Sequence, residues 1–154
     1  MNVKLSIEQW HQMALDGTAI PVRIPLMGAS MYPLVRYNRD LVTIMPIGES
    51  IQTGDIVLFK DTVRDLYVVH RVWKTEEGRI LTWGDNCDAP DGWLPKEAIL
   101  GKVVLIERGR REIRPDPHKG IYWAKFWHLA GKGYRFYRKY LEKLVAKIRK
   151  QMRG

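Results

Sequence analysis

Apolar and polar positions follow two different rhythms along this chain. The first rhythm is helical. Ser6 can cap a helix over 6–16, and Gln9, three residues on, completes a capping box. Trp10, Met13 and Ala14 share one face, and Gly17 supplies the stop. From Ala19 to Leu105 the rhythm changes to short β-type runs: Ala19–Ile24, Leu41–Met45, Asp55–Phe59, Tyr67–Trp73, Ile80–Trp83 and Gly101–Glu107. Pro21 weakens the first of these. Turn signals at 38–40, 53–55, 77–78 and 91–92 separate the others. Many short strands with little helix predict a mainly β, coiled core.

The helical rhythm returns at the C-terminal end. Arg114-Pro115-Asp116-Pro117 reads as an extended linker. Ile121, Tyr122, Trp123, Phe126, Trp127 and Leu129 follow, then a second run of Tyr134, Tyr137, Leu141, Leu144, Ile148 and Met152. Its spacings of 3, 4, 3, 4 and 4 predict an amphipathic helix. The chain thus divides into an N-terminal helix over 1–18, a core domain over 19–114, and a linker with a helical tail over 115–154.

Charge separates the same segments. The net charge is +9 over 154 residues. Residues 119–154 hold eleven Lys and Arg against Glu142 alone, which leaves the other 118 residues at −1. Only the tail therefore points to an anionic partner. Aromatics at one end and lysines along the polar face resemble an interfacial amphipathic helix, so an anionic membrane surface is one expected partner. The stripe packing on the protein's own core is another reading. No base-reading motif supports specific nucleic-acid recognition. The single cysteine, Cys87, allows neither an intrachain disulfide nor a cysteine-rich zinc site. No apolar secretion segment opens the chain, and no stretch of about 18 apolar residues could span a bilayer. The expected location is cytoplasmic, with the tail able to hold the chain at the inner face of the membrane.

Three segments carry chemistry. Gly28-Ala29-Ser30-Met31-Tyr32-Pro33 places a hydroxyl in a Gly- and Pro-rich bend. A nucleophilic serine needs such a bend, with backbone N–H groups free to face an oxyanion; an ordinary turn serine looks the same. Val68-Val69-His70-Arg71-Val72 places an imidazole inside an apolar strand. It reads either as a satisfied core histidine or as a base able to take a serine proton near pH 7. Gly84-Asp85-Asn86-Cys87-Asp88-Ala89-Pro90-Asp91 follows a strand and offers three carboxylates within seven residues. One could orient the histidine; a self-solvating Asp/Asn turn has the same composition.

Taken in order, G-x-S-M-x-P, G-D-I-V-L-F, V-H-R-V and G-D-N with a following Asp resemble the signal peptidase I and LexA-like serine peptidase superfamily, over about Ile20 to Val104. Bacterial signal peptidase I and the LexA-like members use a lysine base, and here the matching place carries His70. The chain is therefore most similar to the serine–histidine branch, which includes archaeal and endoplasmic-reticulum signal peptidases. The resemblance makes 19–114 a peptidase domain, with Ser30 as nucleophile and His70 as base. Asp91 matches the later aspartate of the family and is the favoured orienter; Asp85, the G-D-N aspartate, is the second choice. No metal or cofactor is implied.

Two departures stand out. Bacterial signal peptidase I can carry an oxyanion-hole serine two residues before the nucleophile. Here that residue is Gly28, which would allow close approach and leave backbone donors, among them the Ser30 N–H, to form the hole. The family's Gly-Asp after the nucleophile segment appears as Arg39-Asp40, one residue late. The resemblance implies an endopeptidase cutting an extended protein or leader-peptide segment, with small side chains just before the cleaved bond. The alternative is an inactive peptidase fold kept as a binding module that works through its basic tail.

Overall fold

The structure, a computed structural model, describes residues 6–48 and 50–131. The apolar run from Tyr134 onward lies outside the described residues. Helix α1 spans Ile7–Leu15. The Ser6 hydroxyl accepts from the Gln9 N–H at 3.1 Å, and the Gln9 carboxamide accepts from the Ser6 N–H at 2.8 Å, so two otherwise orphaned donors are satisfied. Gly17, at φ +70°, ends the helix in the left-handed region. Trp10 is fully buried, and its indole N–H donates to the Ile20 carbonyl at 2.7 Å. That contact ties α1 to the approach of the first strand.

Eight strands form one antiparallel sheet: β1 (Val22–Pro25), β2 (Asp40–Pro46), β3 (Ile56–Asp61), β4 (Leu66–Glu76), β5 (Arg79–Trp83), β6 (Gly92–Pro95), β7 (Ile99–Arg108) and β8 (Arg111–Ile113). The order is β1-β2-β7-β3-β4-β5-β6, with β8 on β7. Two long strands serve two neighbours each. β4 pairs with β3 through Leu66–Arg71 and with β5 through Arg71–Glu76. β7 pairs with β3 near Ile99–Lys102 and with β2 from Gly101 to Arg108. Register shifts at Thr43/Ile44, Leu58/Phe59 and Val72/Lys74 bend the strands where they change partners. The sheet coils as a result and encloses apolar residues on both faces. Ile56 and Leu58 join Trp10, Ile44 and Ile106 on one side, while Val57 and Phe59 join Val72, Ile80 and Ile99 on the other. This double burial is why Ile56-Val57-Leu58-Phe59 reads as a continuous apolar run.

The structure corrects several expected boundaries. β6 and β8 were not expected, because each is only three or four residues long and carries no apolar alternation. β1 starts at Val22, past Pro21. Pro117 opens a helix rather than ending a linker. Helix α2 runs over residues 117–131. Asp116 caps it, its carboxylate accepting from the Lys119 N–H at 3.1 Å. Proline suits the first helical position because its missing N–H is not needed there. Ile121, Ala124 and His128, at helical spacing, are buried against the sheet, while Tyr122, Trp123, Phe126 and Leu129 are exposed. Among the described residues no helix is long and apolar enough to cross a membrane.

Candidate active site

β1 is an edge strand, and the chain leaves it along Leu26–Ala29 before turning at Ser30. Gly28 sits at φ +88°, and a side chain there would meet nothing within 4 Å. Its backbone dihedral, not close packing within the protein, is what favours glycine. Asn86 clasps the turn from outside: its N–H donates to the Ser30 carbonyl at 2.7 Å and its side-chain amide to the Ala29 carbonyl at 3.1 Å.

His70 stands in β4 opposite Val57, with its ring edge-on to Phe59, and is 4% exposed. Its Nδ1–H donates to Asp91 Oδ2 at 2.6 Å. The same oxygen accepts from the Thr82 hydroxyl at 3.0 Å, and Arg64 lies 3.5 Å from the other oxygen. The pairing of β5 with β6 brings the aspartate here, since the Asp91 N–H donates to the Thr82 carbonyl at 2.9 Å.

Asp85 does not reach the histidine. Both of its oxygens accept from Arg71, at 2.8 and 2.7 Å, and both side chains are 1% exposed. A third donor of Arg71 bonds the Gly54 carbonyl at 2.9 Å. The second-choice orienter is thus occupied by a buried ion pair, formed because Arg71 follows His70 on the opposite face of β4 and needs a counter-charge.

Gly84 brings the parts together. A Cβ at this position would lie 2.8 Å from His70 Nε2 and 2.9 Å from the Ser30 carbonyl oxygen. Only glycine lets the histidine and the serine backbone meet across the loop. Ser30 and His70 line one cavity of about 460 Å³, whose wall is largely apolar, with Leu26, Met31 and Val68, and also holds Tyr67 and Arg64. Among the described residues no Ser30 hydroxyl–imidazole hydrogen bond is formed. The recorded polar neighbour of Nε2 is Cys87 Sγ at 3.9 Å. Catalytic hydrogen bonds of this kind commonly tighten only around substrate. Burial disfavours the charged imidazole, but the Asp91 bond and the Cys87 sulfur outweigh it and raise His70 from 6.5 to about 9.

Comparisons with known proteins identify relatives of the chain. The signal peptidase complex catalytic subunits SEC11C of Homo sapiens and Canis lupus familiaris are 34% identical to this chain over 118 residues, 67% of the chain and 60% of each relative. SEC11 of Schizophyllum commune (strain H4-8 / FGSC 9210) is 30% identical over 118 residues, 58% of the chain and 60% of the relative. These relatives are signal peptidase I-type serine peptidases, and the chain is homologous to them. It spans 60% of the length of these relatives. No protein-family model matches it.

Within this signal peptidase I-type fold the late Arg39-Asp40 has a visible role. Asp40 is buried and accepts from the Arg36 N–H at 2.9 Å and from Arg108 on β7, which also bonds the Leu34 carbonyl. The turn is shifted, and the carboxylate still pins the segment that carries Ser30. Arg71, Thr82 and Asn86 carry no legible role in the sequence, because their partners are distant along the chain. The one available signal was Arg71, a charged residue in an apolar strand that must find a carboxylate.

Proposed function

We propose that this protein is a serine endopeptidase acting on an extended segment of a protein or leader peptide. The observation that carries the reading is His70, bonded to Asp91 through Nδ1 and lining the same cavity as Ser30. In this mechanism Ser30 Oγ attacks the carbonyl carbon and His70 Nε2 takes the hydroxyl proton. The N–H of Ser30 contributes to the oxyanion hole. Collapse of the tetrahedral intermediate breaks the C–N bond, and the proton passes from His70 to the departing amine, leaving an acyl-enzyme. Water, deprotonated by His70, then releases the acid and restores Ser30. Asp91 keeps Nδ1 protonated, so that Nε2 is the nitrogen able to accept. The edge position of β1, beside a largely apolar cavity, supports an extended substrate, and the family resemblance implies small side chains before the cleaved bond.

A fluorophosphonate probe tests this. Labelling is expected in the wild type and lost in both Ser30→Ala and His70→Ala, together with cleavage of a quenched peptide bearing alanine before the scissile bond. Labelling that persists in Ser30→Ala overturns the assignment. A wild type that neither labels nor cleaves favours the binding-module reading.

We further propose peripheral attachment to an anionic membrane surface. Exposed Tyr122, Trp123, Phe126 and Leu129 on α2, followed by a run rich in Lys and Arg, support it. The anionic inner face of the membrane fits that charge best.

A further inference from the structure

Helix α2 reaches the back of the site through one side chain. His128 is 5% exposed and sits against Trp83, at 4.4 Å between ring centroids, and Trp73, at 5.0 Å. Its Nε2 lies 3.2 Å from the Gly84 carbonyl oxygen, in position to donate. That same oxygen accepts from the Cys87 N–H at 3.0 Å, closing the turn from which Asn86 holds the Ser30 carbonyl. Gly84 is also the residue that separates His70 Nε2 from the Ser30 backbone, with no room for a Cβ. A shift of Gly84 therefore moves the base and the serine turn relative to each other.

α2 has little freedom to carry such a shift. Ala124 is fully buried on the face that carries His128. One turn into the helix, a Cβ on Gly120 would lie 2.4 Å from Arg71 Nη1, the guanidinium that holds Asp85 in the same loop. The helix thus meets the loop at two places: His128 at Gly84 and, through Arg71, Gly120 at Asp85.

We propose that His128 is a positioning residue: its hydrogen bond to the Gly84 carbonyl sets the approach of His70 Nε2 to Ser30. This inference rests on the peptidase reading above. It also assigns α2, whose sequence suggests only a tail, to the machinery of the site. Displacements of about 1 Å at reacting groups cost about 10²-fold in rate.

The test compares His128→Ala with His128→Gln in the full chain. Glutamine keeps an N–H donor at similar reach and loses the ring. On the quenched alanine peptide, His128→Ala is expected to lower kcat by about 10²-fold with KM within about threefold, and His128→Gln to recover most of the loss. Equal activity of His128→Ala and wild type overturns the proposal, as does an equal loss in both variants, which would mark the ring as packing alone. The proton titration of the His70 ring by NMR gives a readout independent of turnover. Its midpoint is expected to move in His128→Ala and return in His128→Gln, and an unmoved midpoint overturns the proposal. If the wild type fails to cleave or label, the peptidase reading fails by itself, while the titration still decides whether His128 positions His70.

Discussion

At the scale of single residues, the proposed mechanism rests on the pair of His70 and Asp91. Asp91→Asn replaces a charged acceptor with an amide and removes what holds the imidazole in place. Peptide cleavage is expected to fall by about 10²–10⁴-fold, the usual worth of positioned acid–base catalysis, with binding little changed; a kcat loss under tenfold would remove Asp91 from its role. The pH dependence follows from the direction of the His70 shift. The base must be neutral to accept a proton, so kcat/KM should climb with pH and level off near the His70 value of about 9. Cys87 contributes to that elevation, so Cys87→Ala should move the midpoint down, as a pH–rate profile would read. Stability moves in the opposite sense. The folded value lies above the unfolded 6.5, so the charged ring stabilises the fold fully below pH 6.5. That contribution is lost as pH rises toward 9, which urea midpoints at pH 6 and 9.5 should show, with the difference reduced in His70→Ala.

Among elements, the loop between β5 and β6 divides its two matching carboxylates by partner. Asp91 faces His70, and Asp85 faces Arg71. Their variants should therefore fail differently. Asp85→Ala strands a buried guanidinium and should cost about 3–5 kcal/mol of stability in urea unfolding, while the folded fraction keeps its His70–Asp91 bond. Equal stability in Asp85→Ala and wild type would contradict the buried pairing. The chain favoured Asp91 over Asp85 through the family resemblance alone, since both stand in one polar loop after a strand, and the contact itself was not legible there. It needed the β5–β6 pairing, and β6 is four residues of Gly92-Trp93-Leu94-Pro95 with no strand signature of their own. By contrast, α1 was legible down to its cap, because a capping box is a local hydrogen-bond pattern within four residues.

For the whole molecule, the coiled sheet carries the candidate site and α2 backs its Gly84 loop through His128. The face of α2 carrying Ile121, Ala124 and His128 is buried, while Tyr122, Trp123, Phe126 and Leu129 are exposed. A chain ending at Gly131 keeps α2 and loses nine Lys and Arg. It should retain fluorophosphonate labelling yet lose most of its co-sedimentation with anionic vesicles at low salt, since each basic residue contributes about 1 kcal/mol near such a surface. Undiminished sedimentation of the shortened chain would sink the membrane proposal.

The sequence by itself determined the mainly β class, the capped first helix, the resemblance to signal peptidases, and the residue types gathered around Ser30 and His70. Those features are local patterns or ordered motifs, and they survive being read one residue at a time. The tertiary structure alone decided which aspartate meets the histidine, why Gly84 must lack a side chain, and that a histidine 44 residues further on supports it. Each of these depends on how the strands pair and where α2 docks, and a contact between distant segments leaves no periodicity in either of them.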